Sequence, residues 1–584
     1  IYIYIIKEIN ENKGYKMKKF FCLSSLIVGL SLPLVATNCN KITGNQTKPT
    51  EPVENIIYEK NLIFQPFFDD LKDSATNEFP SIFVSRNAAQ YFISSFIQLV
   101  GQLELSKNDQ SVTNKNMFLI DHNVWQYENR ELDTTNERFN LNYLLNSYGD
   151  KHLNQNGKLE VFENTKYLDS SSNTNYLVFP RTVSEIQNYL KEYLDSGVTK
   201  FDFYIPDISF TGMDKTVRNW IIKRANKIVI LSDGNAQPYK FIRDKYLSWV
   251  ANQKTFYSKE ELTTKWIEFQ NSNNDNLKID WRYFLTLTDK FKIYNLDSSY
   301  INALNQDLEN KGFGWAKLNI NQYPLTPTAF YSYFPEIGEN FIQQFNKVNN
   351  LDNKTFLDFI VKGQNNYDPN KKNLIFMGSS LFRHNEKDGR WRLSYQQYAL
   401  DEIRSFFNKV HELYPRNEYN YFFKLHPVYN IDQSVEYINM LLGENSNNYA
   451  IILNSQIAWE NMLAVDFTNL RKNKSILFDS NKNSKTELYG LQATTTTILS
   501  TMTFLKTELK WNDDKVKSFV DIQNFPLSNK FNIVTRDIEY KDDDKGFEAN
   551  KETMNAVYEY FINSGSFPNQ NEWLDMRAFL KRTK

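Results

Sequence analysis

Cysteine is almost missing from this chain of 584 residues: there are two, Cys22 and Cys39, both close to the N-terminus. That excludes a disulfide framework and a thiolate zinc site from the body of the protein. Histidine is nearly as scarce, and the five present (His122, His152, His384, His411, His426) show no His-Glu-x-x-His or similar pairing. Metal catalysis through imidazole or thiolate is therefore not expected, and no cofactor is. An excess of charge of one sign is missing too. With 68 Lys+Arg against 69 Asp+Glu, nothing electrostatic favours nucleic acid or an acidic membrane surface as the main partner. No repeat of short period runs through the sequence.

Apolar residues make up 41% and charged residues 23%, which is enough for real cores and too apolar for a disordered chain. At roughly 150 residues per domain the length suggests about three or four units, fewer if α/β units merge. Aromatic residues reach 15%. Flat rings stack on sugars, but Asn and Lys are abundant beside them, and low-GC codon usage explains the whole set more simply.

From Met17 the N-terminal pattern is that of an address. Lys18 and Lys19 precede an apolar run from Phe20 to Val35, and Ala36-Thr37-Asn38-Cys39 follows. The run is short for a stable spanning helix and reads as a secretory signal. Cysteine just after it resembles a bacterial lipoprotein signal, in which Cys39 is lipidated, although Asn38 stands where a small residue is usual. The polar stretch Lys41 to Pro52 suits a tether. The alternative is an uncleaved signal anchor. Either way the body is expected outside the cell, close to the membrane.

Residues 56–112 hold apolar stretches whose place in a fold the pattern does not settle. From Asn116 onward, short apolar runs alternate with amphipathic helices. Met117 to Ile120, Tyr176 to Phe179, Phe201 to Ile205 and Ile228 to Leu231 have the length of buried strands. Thr182-x-x-Glu185 is a capping-box pattern, and Gly197 can end the helix that it starts. The alternation returns with Leu374 to Met377, Tyr421 to Phe423 and Ala450 to Leu453 as strands. Helical stripes lie between them at Leu400, Ile403, Phe407 and Val410, and at Val435, Ile438 and Leu442. From Thr255 to Lys372 the sequence reads as mixed helix. Two α/β units in tandem, each with a parallel sheet, are the expectation.

Ligands of open α/β sheets bind beyond the carboxyl ends of the strands. There the sequence offers Ser232-Asp233-Gly234 after one run, a turn able to present the Asp233 carboxylate. Another run ends in Lys424-Leu425-His426-Pro427, where proline holds His426 extended. A third is followed by Gly378-Ser379-Ser380-Leu381-Phe382, and a similar turn is Gly490-Leu491-Gln492-Ala493-Thr494-Thr495. Glu460 stands just inside a helix start. Each alone has an ordinary structural explanation: a turn, a strand end, a β-branched run, a dipole partner.

In order and spacing, these segments resemble the bacterial sialyltransferases of glycosyltransferase family 80, which include the Pasteurella-type multifunctional enzymes. Ile230 to Gly234 is similar to the family's strand ending in Asp/Glu-Asp-Gly, with Ser232 replacing the first acid. Ile375 to Phe382, Phe423 to Pro427, Ile457 to Leu463 and Gly490 to Thr495 resemble its later motifs, the last with Thr in place of Ser. The likeness spans roughly Asn116 to Leu505.

The resemblance implies a GT-B architecture, two Rossmann-like domains across a deep cleft, and metal-free inverting transfer of sialic acid from CMP-sialic acid to a glycan hydroxyl. It implies Asp233 as general base and His426 as the group that stabilises or protonates the leaving phosphate. Glu460 would serve the ribose, Thr494 and Thr495 the phosphate. Gly378, Ser379, Lys424 and Pro427 fall on the donor side, and Gly234 and Phe382 on the acceptor side. The expected domains are a signal and upstream residues (1–39), a tether and extension (40–112), an acceptor-side domain (113–290), a CMP-donor domain (291–510) and a helical tail (511–584). Expected partners are the nucleotide sugar, a glycan acceptor and the membrane through its lipid anchor; the protein is expected to be monomeric. Two other readings share the fold class: a non-catalytic surface lipoprotein that binds glycans or host proteins, and a two-lobed solute-binding lipoprotein.

Overall fold

The computed structural model describes residues 60–84, 89–108, 115–121, 139–150, 158–164, 180–232, 257–272, 279–296, 305–306, 308–378, 382–385, 388–393, 397–470, 472–491 and 495–520. The lipidation candidate Cys39, the strand expected at Tyr176 to Phe179 and the chain beyond 520 lie outside them. Among the described residues, no helix is long and apolar enough to cross a membrane.

Eight strands build a first, wholly parallel sheet: β1 (Ser81–Val84), β2 (Asn116–Asp121), β3 (Gly149–Asp150), β4 (Leu159–Asn164), β5 (Phe201–Pro206), β6 (Ala225–Leu231), β7 (Phe291–Asn295) and β8 (Ile320–Gln322). Their order is β3-β4-β2-β1-β5-β6-β7-β8. Side chains alternate across the sheet as the pleat requires. Ile82, Val84, Met117, Leu119, Phe203, Ile205, Ile228 and Ile230 enter one core. Phe83, Phe118, Ile120, Tyr204, Val229 and Leu231 enter the other. Both faces are covered, so the strands read as unbroken apolar runs.

β9 (Ile360–Lys362), β10 (Lys372–Gly378), β13 (Tyr419–Lys424), β14 (Ala450–Leu453) and β15 (Thr486–Leu491) form a second sheet, while β11 (Phe382–Asn385) and β12 (Arg390–Leu393) make a separate hairpin. The order is β15-β10-β13-β14-β9, parallel except for β9 at the edge. The helical stripe Leu400, Ile403, Phe407 and Val410 is buried as its spacing predicts, on the helix Gln397–Leu413. The core of this sheet is continuous with the second face of the first sheet. A buried carboxylate ties the two regions: Glu508, just past the helix Thr495–Thr507, accepts from the hydroxyls of Thr326 (2.6 Å) and Thr328 (3.0 Å), which follow β8.

The protein is thus a mixed α/β fold with parallel sheets, and several boundaries move. The first sheet draws its strands from residues 81 to 322, so a 113–290 unit is too short at both ends. The extension before residue 113 supplies β1 in the middle of the sheet and the helices Gln65–Thr76 and Ala89–Asn108. The stretch read as mixed helix contains β7, β8 and β9, strands of only three to five residues. Of the expected helical tail, the helix Asp513–Val520 is described, with Trp511 buried before it. Thr182 caps the helix Val183–Tyr189 by accepting from the Glu185 amide, while the Glu185 carboxylate accepts from the amide of Arg181. Gly197 follows at φ 89°, a left-handed turn that suits glycine.

At the amino ends of β5 and β6 lies a buried charge cluster. The Lys227 ammonium donates to Asp70 (2.6 Å) and Asp73 (2.8 Å) and lies 3.8 Å from Asp202. Asp202 also accepts from Ser74, Asn77 and Asn226. This fastens the helix Gln65–Thr76 to the amino-terminal edge of the sheet.

Candidate active site

In the second sheet β10, β13, β14 and β15 run parallel, so their carboxyl ends share one edge. From β10 the chain adds β13 and β14 on one side and β15 on the other. The strand order therefore reverses between β10 and β15, the place where open α/β sheets leave a crevice. Gly378, the last residue of β10, is partnered with Leu491, the last of β15. Ser379 and Thr494 lie outside the described residues. The threonine run does not extend the strand: Thr495 opens the helix Thr495–Thr507, four residues past β15, so the N-terminus of that helix follows this edge.

Next along the edge, β13 delivers Lys424, His426 and Pro427. His426 is half-buried, and its Nδ1 accepts a hydrogen bond from the Val428 amide at 3.1 Å. A ring nitrogen that accepts carries no proton, so the neutral imidazole holds its proton on Nε2 and is a donor there. The backbone turns at once, with the Tyr429 amide donating to the His426 carbonyl at 3.2 Å.

Lys424 departs from expectation. Its ammonium points into the protein, donating to the carbonyls of Leu425 (2.8 Å) and Ser455 (2.9 Å), and the residue is 4% exposed. Burial pulls its pKa down to about 7, against the opposing influence of the Glu460 charge. Lys424 is therefore a brace between the His426 turn and the loop after β14. The brace is part of a wider net. The Ser455 hydroxyl donates to the Tyr429 carbonyl, and the Tyr429 hydroxyl donates to the Phe382 carbonyl.

Glu460 is the second residue of the helix Trp459–Leu470 and is 2% exposed. Beside it, the Trp459 indole donates to Thr501 at 3.0 Å and joins this helix to Thr495–Thr507. Phe382 is buried, its ring 5.1 Å from Tyr437 in an edge-to-face contact. Placed on the acceptor side from sequence, it is packed here, and the hairpin it begins is pinned through Tyr429.

On the first sheet the order reverses between β1 and β5. Asp233 and Gly234 lie outside the described residues; Ser232, directly after β6, is within them. Its hydroxyl donates to Asp207 Oδ2 at 2.8 Å, and both residues are buried. Asp207 follows β5 immediately and was not singled out from sequence. The signal that finds it is its place, directly after a six-residue buried strand.

The edge of the second sheet thus brings together Gly378, the Lys424–His426–Pro427 turn, Glu460 and the start of the helix at Thr495. An Nε2–H donor, a buried carboxylate and a helix N-terminus form a set suited to a phosphate and a ribose.

No family model and no curated protein matches the chain. Among solved structures, the chain is similar to a 2,6-sialyltransferase of Photobacterium sp. JT-ISH-224, crystallised with the donor product CMP and the acceptor substrate lactose. The two are 15% identical with a TM-score of 0.40, over 72% of this chain and 69% of that one.

Proposed function

We propose that this chain is a metal-independent, inverting glycosyltransferase of GT-B architecture that transfers sialic acid from CMP-sialic acid to a glycan hydroxyl, at the cell surface, as a lipid-anchored monomer. The reading rests on one observation above the others: residues 378, 426, 460 and 495, spread over more than a hundred positions, stand at or after the carboxyl ends of adjacent parallel strands of one sheet.

Transfer needs the incoming oxygen activated and the phosphate eased away from an oxocarbenium-like centre. In this reading Asp233 takes the acceptor hydroxyl proton as the new carbon–oxygen bond forms. The bond to the donor phosphate breaks with its electrons left on the phosphate oxygen, and His426 Nε2–H stabilises that charge. CMP is a good leaving group, so this chemistry requires no metal. Glu460 gives the ribose hydroxyls an acceptor shielded from water, where such a bond is strongest. Gly378, Ser379 and Pro427 let the nucleotide approach the backbone, and Thr494 and Thr495 hold the phosphate with hydroxyl and amide donors. Lys424 serves the donor indirectly, by bracing the turn that carries His426.

The chain supplied with CMP-sialic acid and a panel of glycans is expected to release CMP and form a sialylated product, and Asp233→Ala to abolish transfer while CMP still binds. Failure to bind either CMP or CMP-sialic acid would replace this reading with a non-catalytic, glycan-binding surface lipoprotein.

A further inference from the structure

Ser232 is held at every polar atom it has. Its amide donates to the Tyr294 carbonyl at 2.9 Å, its carbonyl accepts from the Tyr323 hydroxyl at 2.9 Å, and its hydroxyl donates to Asp207 Oδ2 at 2.8 Å. These partners come from three places: Tyr294 within β7, Tyr323 directly after β8, and Asp207 directly after β5. Ser232 is 3% exposed, Asp207 4%, and Tyr294 and Tyr323 1% each. Two of the contacts clamp the main chain, and the third reaches across to the neighbouring strand end on the other side. A buried hydroxyl bonded to a carboxylate is among the stronger and more directional hydrogen bonds. The place matters as well, because Asp207 stands where the strand order of the first sheet reverses.

We propose that Asp207 is a positioning residue that, through Ser232, fixes the main chain from which Asp233 follows. The inference rests on the proposed role of Asp233 as base. A base works only when held within a few tenths of an ångström of its productive geometry, and supporting hydrogen bonds supply that hold. Asp207 acts through the Ser232 hydroxyl, and Tyr323 and Tyr294 hold the peptide on either side of it.

The test compares wild type, Ser232→Ala, Asp207→Ala, the double variant and Ser232→Thr, using CMP-sialic acid turnover and CMP binding on the full chain. Each of the first two changes is expected to lower kcat by about ten- to a hundredfold, with KM for the donor and Kd for CMP unchanged. The double variant should be no worse than the poorer single one, because both break the same bond. Ser232→Thr, which keeps the hydroxyl, should recover most of the rate. Unchanged kcat in Ser232→Ala, additive losses in the double variant, or an equal loss in Ser232→Thr would each overturn the inference and leave the transferase reading standing. Should Asp207→Ala fail to fold, the Ala and Thr pair at position 232 decides alone. A wild-type chain that turns over no CMP-sialic acid would instead remove the reading itself, and the inference with it.

Discussion

The ammonium of Lys424 donates to the main-chain carbonyl of Ser455 across 2.9 Å, linking the end of β13 to the loop that leads into the helix of Glu460. With its second bond to Leu425, this one cation sets the spacing between two of the proposed donor-binding segments. The site is thus shaped from behind, by a charge that the ligand does not need to touch.

The brace has a signature in pH. Burial lowers the Lys424 pKa to about 7 in the folded protein, against an ordinary value of 10.5. Between these values the unfolded chain binds the extra proton, so stability rises with pH across that window and the charging penalty is full below it. The wild-type protein should gain on the order of 5 kcal/mol from this group between about pH 7 and pH 10.5. Urea denaturation over that range, comparing wild type with Lys424→Met, should show a steeper rise for wild type. Parallel curves would remove Lys424 from the buried position.

His426→Asn should reduce transfer by about two to four orders of magnitude, the usual range for loss of a group that manages charge or proton at a reacting oxygen. Steady-state kinetics with CMP-sialic acid measures it. A loss below tenfold would mean that the imidazole does not meet the leaving phosphate.

Away from the site, Lys227→Met should be costly, because it leaves Asp70 and Asp202 buried without their cation. About 3–5 kcal/mol is expected at neutral pH. Burial raises the Asp70 pKa even with Lys227 present. Removing the cation raises it further, so the variant's deficit should shrink as acid neutralises Asp70. Thermal melts from pH 7 downward report both effects.

Much of this was legible in the sequence where apolar runs are flanked by punctuation. Ile228 to Leu231, Leu374 to Met377 and Ala450 to Leu453 are strands because every residue in them is buried. Asp207 was not legible, since its partner Ser232 lies 25 positions away and the two meet only because β5 and β6 are neighbours. The inward turn of the Lys424 ammonium was not legible for a related reason: Ser455, whose carbonyl accepts from it, lies 31 positions away. β8 and β9, at three residues each, carry too few side chains to show a period. Phe382 was expected at a cleft because its motif has an aromatic there, but its burial depends on Tyr437, from a helix some fifty residues on.

Calorimetric titration of CMP into the wild-type chain and into Glu460→Ala is the shortest route to the central claim. Wild type is expected to bind one CMP saturably, with affinity weakened about ten- to a hundredfold by loss of the buried carboxylate, as for a charge-assisted hydrogen bond of roughly 1.5–3 kcal/mol. An absence of CMP binding in wild type, or equal affinity in the two proteins, would contradict it.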